Sequence, residues 1–314
     1  MNVPITQSKQ WQTLQNDLGI TSFYREESDF VALAIKKSTP LGYYLYLPYG
    51  PVATSEAGLS HALSYLKHLA ESERAMFVRV EPQQGTKPDF VRRSTQIFGR
   101  PPVKSHNQNP AETWLLDLAG GEESVRSRLP SRLLRYHRNA TKQGITIRKS
   151  HDPADIHYLL SLQKALAEKK NINTFSEHYL ATELAQPFAT LYLVEHRTSS
   201  DASPEVVAAG LVFDDKTTRY NLQGAQNDQG RTLHATGILT IELINDAVKN
   251  HQTTFDFWGI APEGAPASHP WAGFTAFKKT FAGHEQRYLG THDLVINPLR
   301  YRLYQLLRKL RRAL

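Results

Sequence analysis

The sequence predicts a mixed α/β protein made of two similar layered units, and three observations predict it. Helix-period and strand-period segments alternate along the chain, and the order of elements begins again near Ile145. The 314 residues are 40 % hydrophobic and 21 % charged, enough apolar material for two cores of ordinary size. The halves share an order of elements without obvious residue identity.

Trp11, Leu14 and Leu18 mark a first helix, which Gly19 stops. The runs DFVALAIKK and LGYYLYLPYGP read as strands, the second ended by Pro48, Gly50 and Pro51. Leu63, Leu66 and Leu69 give HALSYLKHLAESE an inward helical face, and AMFVRVEP and TWLLDL follow as strands. The stretch SRLPSRLLRYHRNATKQG predicts a helix or a helix pair, with Leu129, Leu133 and Leu134 on its apolar side and Gly144 as its stop. From Ile145 the pattern restarts with the strand ITIRKS and a helix over HDPADIHYLLSLQKALAEKK, entered through Asp and Pro. ATLYLVEHR and VVAAGLVFDD are strands on either side of a polar loop, and TRYNLQGA is a third. GILTIELINDAVKNH is a helix apolar on most sides, hence buried. FDFWGI is a strand that runs into the Gly/Pro-rich loop APEGAPASHPWAG. Residues 299–314 form a basic amphipathic helix with Leu299, Leu303, Leu306, Leu307, Leu310 and Leu314 near one face.

Composition excludes several chemistries. There is no cysteine, so disulfides, thiolate metal sites and cysteine nucleophiles are ruled out. No apolar run approaches the ~20 residues of a membrane span, and the first residues lack the pattern of a secretory signal, so a cytoplasmic protein is expected. The net charge of +7 is concentrated in two places. Ser124 to His151 holds eight basic residues and no acid, Leu299 to the end holds six and no acid, and the remainder is net acidic. Localised positive charge points to a polyanion: RNA, a phosphorylated ligand or an anionic membrane. Solvated helix faces are the plain alternative.

Most catalytic signatures fail. The chain has no phosphate-binding GxxxxGK[ST] loop, no GxGxxG, no HExxH and no GxSxG, and its 13 histidines lack metal-ligand spacing. The segment QGRTLHATGILTIEL resembles the pyrophosphate cradle of N-acetyltransferases, but Leu233 and His234 stand where that loop needs glycines, so neither acetyl-CoA nor another cofactor or metal is expected. The strongest signal lies between Thr253 and Pro298. There Phe274, Phe277 and Phe281 fall at helical spacing and predict a core-facing side, with Lys278 at its margin.

That segment carries the pattern G-x-x-x-F-K-x-x-F-x-G followed by Y-L-G-T-x-D-L-V-I-N-P, and it resembles the FemABX family of tRNA-dependent aminoacyltransferases that build peptidoglycan interpeptide bridges. RYHRNATKQGITIR is similar to the family's basic segment, LPYGPV to its Y-x-x-x-GPV turn and VRVEP to its strand-end acid before proline. The resemblance implies two tandem acetyltransferase-like (GNAT-type) subdomains, residues 1–144 completed by 290–314 and residues 145–289, without the coiled-coil insertion of some members. It implies transfer of an amino acid from aminoacyl-tRNA to the stem-peptide amine of a peptidoglycan precursor, either lipid II or UDP-MurNAc-pentapeptide. Lys278 then stabilises negative charge on the tRNA phosphate or the ester oxyanion, Phe277 is its aromatic neighbour, and Glu81 lies near the acceptor. Tyr179 contacts the acceptor, Trp258, Gly259 and Trp271 line the substrate site, and Arg132, Arg135, Arg138 and Lys142 hold tRNA. Gln15 and Phe175 stand where some members carry basic residues that hold a nucleotide diphosphate, which favours the lipid-linked acceptor and a peripheral place at the inner face of an anionic membrane. Two rival readings are an acetyltransferase-fold enzyme with another acyl donor and a non-catalytic RNA- or membrane-binding module.

Overall fold

The computed structural model describes residues 1–83, 87–170, 175–199 and 201–313, and Leu314 lies outside them. The chain divides into two compact units, one of Met1–Ala111 with Arg287–Leu314 and one of Glu112–Gln286. The first contains α1 (Lys9–Asp17), β1 (Ser22–Glu26), β2 (Phe30–Thr39), β3 (Gly42–Leu47), β4 (Val52–Ala53), α2 (Glu56–Ser72), β5 (Phe77–Val80), α3 (Lys87–Phe98) and β6 (Val103–Lys104). The second contains β7 (Glu112–Asp117), α4 (Gly121–Arg128), α5 (Ser131–Asn139), β8 (Ile145–Ser150), α6 (Ile156–Lys170), α7 (Glu177–Leu184), β9 (Ala189–His196), β10 (Glu205–Asp214), β11 (Thr218–Gln226), α8 (Asp228–Thr232), α9 (Ala235–Lys249), β12 (Thr254–Gly259), α10 (Ala272–Lys279) and β13 (His284–Arg287). β14 (His292–Val295) and α11 (Pro298–Ala313) then return to the first unit.

Each unit is built on one seven-stranded mixed sheet. In the first, the order is β1-β2-β3-β5-β14-β6 with β4 also on β2, and β3 and β5 run parallel. α2 connects them. Its start is fixed by Ser55, whose hydroxyl accepts from Gly58 N at 3.1 Å, and its inner face is Leu59, Ala62, Leu63, Leu66 and Ala70. In the second, the order is β13-β7-β12-β11-β10-β9-β8, and β11 and β12 run parallel across the buried helix α9. The same device therefore occurs twice: an antiparallel meander, a helical crossover and a parallel strand.

The expected join near Ile145 falls instead at Glu112. Residues 112–144 lie with the second unit because β7 pairs with β12, Leu116 opposite Phe255, and because α5 packs on α9. Gly237 permits that packing, since a Cβ there would sit 2.7 Å from Leu133 Cδ2. His137 Nε2 and Glu242 Oε2, 2.8 Å apart, tie the same two helices. The predicted basic helix is a pair, α4 and α5, broken at Leu129 and Pro130.

Candidate active site

β12 begins as a regular strand and ends irregularly. Asp256 faces Leu115 of β7, yet Gly259 faces Thr113, so the register shifts between them. Trp258, inside that irregularity, has φ +66°, a left-handed conformation uncommon for a bulky residue. It is held there by Asp256, whose Oδ1 accepts from Trp258 N at 2.7 Å and also from the Thr113 hydroxyl. Strain kept in place by a buried carboxylate marks a built feature. Its consequence is where the Gly259 carbonyl ends up.

That carbonyl oxygen accepts a hydrogen bond from Lys278 Nζ at 2.6 Å. Lys278 rides on the last turn of α10, which is fastened to the loop after β12 by Thr275 Oγ1 accepting from Ala261 N at 2.7 Å. Phe277 packs half-buried against the core of the second unit, and Phe281, fully buried, lies against it with ring centroids 5.3 Å apart. Phe274 departs from the predicted core face: it is 41 % exposed, because only the C-terminal end of α10 reaches the core. Trp271, also exposed, precedes α10, and its backbone N–H donates to His269 Nδ1 at 3.1 Å. Lys278, Phe277, Trp258, Gly259 and Trp271 thus belong to one strand-loop-helix segment.

An ammonium has three N–H donors, and among the described residues one of those on Lys278 is engaged, by the Gly259 carbonyl. Among the described residues Lys278 forms no ion pair. Burial pulls its pKa down to about 8, opposed by the charge of Asp256. Burial likewise pushes Asp256 up to about 6, against its bonds from Thr113 and Trp258 and the charge of Lys278. A desolvated lysine with spare donors is equipped to meet an anion or a developing oxyanion. Asp256, the group that shapes this site, is missed by sequence reasoning; its signal is an acid in the middle of the apolar run FDFWGI.

A second polar cluster surrounds Tyr179 on α7. One turn on, Glu183 is buried and accepts from Gln223 Nε2 at 3.3 Å, and Gln163 Nε2 donates to Gln223 Oε1 at 3.1 Å. Burial raises Glu183 to about 8, against its hydrogen bond from Tyr179, and burial with the Glu183 charge raises the Tyr179 hydroxyl. Phe175 stacks on Tyr179 at 5.1 Å.

Glu81 belongs to the first unit, and its surroundings differ from those of a free base. Oε1 accepts from Thr291 Oγ1 at 2.6 Å and from the backbone N–H groups of Gln108 and Asn109, while Oε2 accepts from Tyr46 Oη at 2.8 Å and Asn109 Nδ2 at 2.9 Å. Five donors occupy its lone pairs, so Glu81 braces the 107–109 loop against β14's approach. Accepting a substrate proton would require one of these donors to leave. Gln15 is buried on α1.

The basic stretch is less free than its composition implies. Arg148 bonds Asp155 and Glu195 at 2.7 and 3.0 Å, and Lys149 pairs with Asp246. Arg126, Arg132, Arg135 and Arg138 remain outward and, with Ser131 and Leu134, line a concavity of about 540 Å³ between α4 and α5. Lys142 sits beyond it in the turn after α5. Tyr136 lies under Arg132 and Arg135 and stacks on His234 at 4.3 Å, where His234 adopts φ +57° before α9.

The site is thus centred on a half-buried lysine, on a two-unit mixed α/β fold, whose hydrogen bond among the described residues is to a backbone carbonyl. The model of the FemAB family matches residues 180–309, a span that contains Phe277 and Lys278. A crystal structure of FemX superposes with TM-score 0.80 at 17 % identity, over 97 % of this chain and 94 % of that one. The C-terminal domain of a protein assigned as a lysylphosphatidylglycerol synthetase, from Agrobacterium fabrum, gives 0.60 at 12 %, over 95 % and 91 %. L-PGS from Bacillus licheniformis gives 0.57 at 13 %, over 99 % of both chains. No curated protein matches the chain. The FemAB model over residues 180–309 and the FemX-like fold over the whole chain agree with the resemblance carried by the Phe277-Lys278 segment.

Proposed function

We propose that this protein transfers an amino acid from aminoacyl-tRNA to the side-chain amine of a peptidoglycan stem peptide. The observation that carries the reading is Lys278: a largely desolvated ammonium, in the family-matched span, with one donor engaged among the described residues and two to spare. The neutral amine attacks the ester carbonyl carbon, and the carbonyl oxygen takes the electron pair as an oxyanion. Collapse expels the ribose oxygen, which takes up the proton the amine gives up, so an amide forms as the ester breaks. Lys278 stabilises the oxyanion or the adjacent tRNA phosphate, and Phe277 fixes the helix that carries it. Tyr179 with Trp258, Gly259 and Trp271 forms the substrate surface. The arginines of α4 and α5, with Lys142, meet tRNA phosphates, and Glu81 supports the acceptor side by bracing its loop.

The acceptor favoured by Gln15 and Phe175, neither of them basic, is the lipid-linked precursor, with the enzyme peripheral at a membrane. The test is transfer of radiolabelled amino acid from charged tRNA to lipid-linked and to nucleotide-linked muropeptide in parallel. An arm with phosphatidylglycerol tests a lipid acceptor of the kind suggested by the lysylphosphatidylglycerol synthetase name of the Agrobacterium fabrum fold relative. Incorporation into muropeptide is the expected result; labelling from acetyl-CoA instead, or from no donor, would replace the reading with one of its rivals.

A further inference from the structure

α11 is mounted on the first unit by one face only. Asn297 caps it, its Oδ1 accepting from Arg300 N at 3.1 Å, and Tyr301 and Tyr304 turn inward, where both rings lie 5.1 Å from Phe77. Tyr301 Oη also donates to Asp293 at 3.0 Å. The opposite face carries Leu299, Leu303, Leu306 and Leu310 at spacings of four, three and four, and these are 77, 46, 54 and 53 % exposed. These four leucines therefore face away from the unit that carries the helix. Arg300, Arg302 and Lys309 are exposed beside them, and the helix contains no acid.

A contiguous row of exposed leucines marks an interaction surface. The spacing suits a second copy of the same helix, but two such helices would bring basic flanks together with no acid to pair them, which opposes a coiled coil. RNA would satisfy the charge and leave the leucines in water. We infer that the outward face of α11 is a docking surface for an anionic lipid bilayer, the leucines entering the acyl boundary while Arg300, Arg302 and Lys309 meet lipid phosphates. The inference deepens the membrane-peripheral part of the proposed function, but its test is independent of the chemistry assigned to Lys278 and needs no turnover.

The full chain is sedimented with vesicles of phosphatidylcholine containing about one-third phosphatidylglycerol, and with phosphatidylcholine alone. Binding should be about tenfold or more stronger to the anionic vesicles and weaken with salt. Leu303→Ser with Leu306→Ser should reduce it by about tenfold or more with little change in Tm, since both side chains lie on the outward face and are about half exposed. Arg300→Gln, Arg302→Gln and Lys309→Gln together should remove the preference for anionic lipid. No binding of the wild-type chain, binding unchanged by the leucine variants, or a dimer that those variants dissociate would each overturn the proposal. Transfer to the nucleotide-linked muropeptide, measured on the same variants, reports separately on the enzymatic reading.

Discussion

Arg79 in the first unit and Lys278 in the second are both cations drawn out of water, and they are held in opposite ways. Arg79 meets Asp293 through two parallel bonds, Nε to Oδ1 at 2.7 Å and Nη2 to Oδ2 at 2.8 Å, with Ser105 accepting a third at 3.0 Å. Burial opposes its charge, but the bonds and charge of Asp293 outweigh it and raise its pKa. Lys278 has a carbonyl for its partner, and the nearby carboxylate, Asp256, is spent on holding Thr113 and the backbone of Trp258. A satisfied buried cation specifies structure; one left with spare donors stores electrostatic capacity for a ligand.

The sharpest break of that comparison is to exchange the phenotypes. Asp293→Ala should destabilise the protein by about 3–5 kcal/mol by stranding Arg79, read as a fall in the denaturant midpoint. Lys278→Ala should leave the midpoint in place and reduce transfer by roughly 10²–10³, about 2.7–4 kcal/mol. Near-wild-type turnover in that variant would return Lys278 to an ordinary lysine. The pH profile refines the point. Lys278 loses its charge as pH rises through about 8, while a lysine-type acceptor amine gains its neutral form toward about 10.4, so the rate should climb with pH and level off near 8. In Lys278→Arg, whatever activity remains should keep climbing through pH 9.

Glu183 extends the comparison to an acid. Burial lifts its pKa from 4.5 to about 8, so the folded state holds a proton the unfolded chain has released. The stability this proton allows is complete below about 4.5 and is lost as pH rises toward 8. Glu183→Gln should therefore raise Tm at pH 8.5 relative to wild type, by roughly 2–4 °C per kcal/mol recovered, and change little at pH 4. The smallest effect is expected where cations face water. Replacing Arg132, Arg135 and Arg138 together should lower the salt slope of tRNA affinity by about 0.7–0.9 per lost phosphate contact. An unchanged slope would make the concavity a solvated face.

Sequence patterning carried most of the elements, because hydrophobic periodicity is a local property that burial enforces directly. The runs at β2, β10 and α9 lie where their apolar pattern puts them, and the F-K-x-x-F motif marked Lys278 before any fold was known. α3 went unread: only Phe90, Ser94 and Phe98 of it are buried, one of them polar, so its apolar stripe is thin. α7 was hidden similarly, since its buried Glu183 reads as surface in a sequence.

What the sequence by itself determined was the class of fold and its internal repetition, and its motif pointed to Lys278 as the residue to look for. Tertiary structure decided what depends on partners distant along the chain. Residues 112–144 join the second unit because β7 finds β12, about 140 positions away, and no local pattern encodes that pairing. Glu81 became a brace because Tyr46, Asn109 and Thr291 converge on it, and the leucines of α11 became a surface because Tyr301 and Tyr304, not they, reach Phe77. Periodicity names the two faces of a helix; which face finds a partner is settled only by what the rest of the chain brings against it.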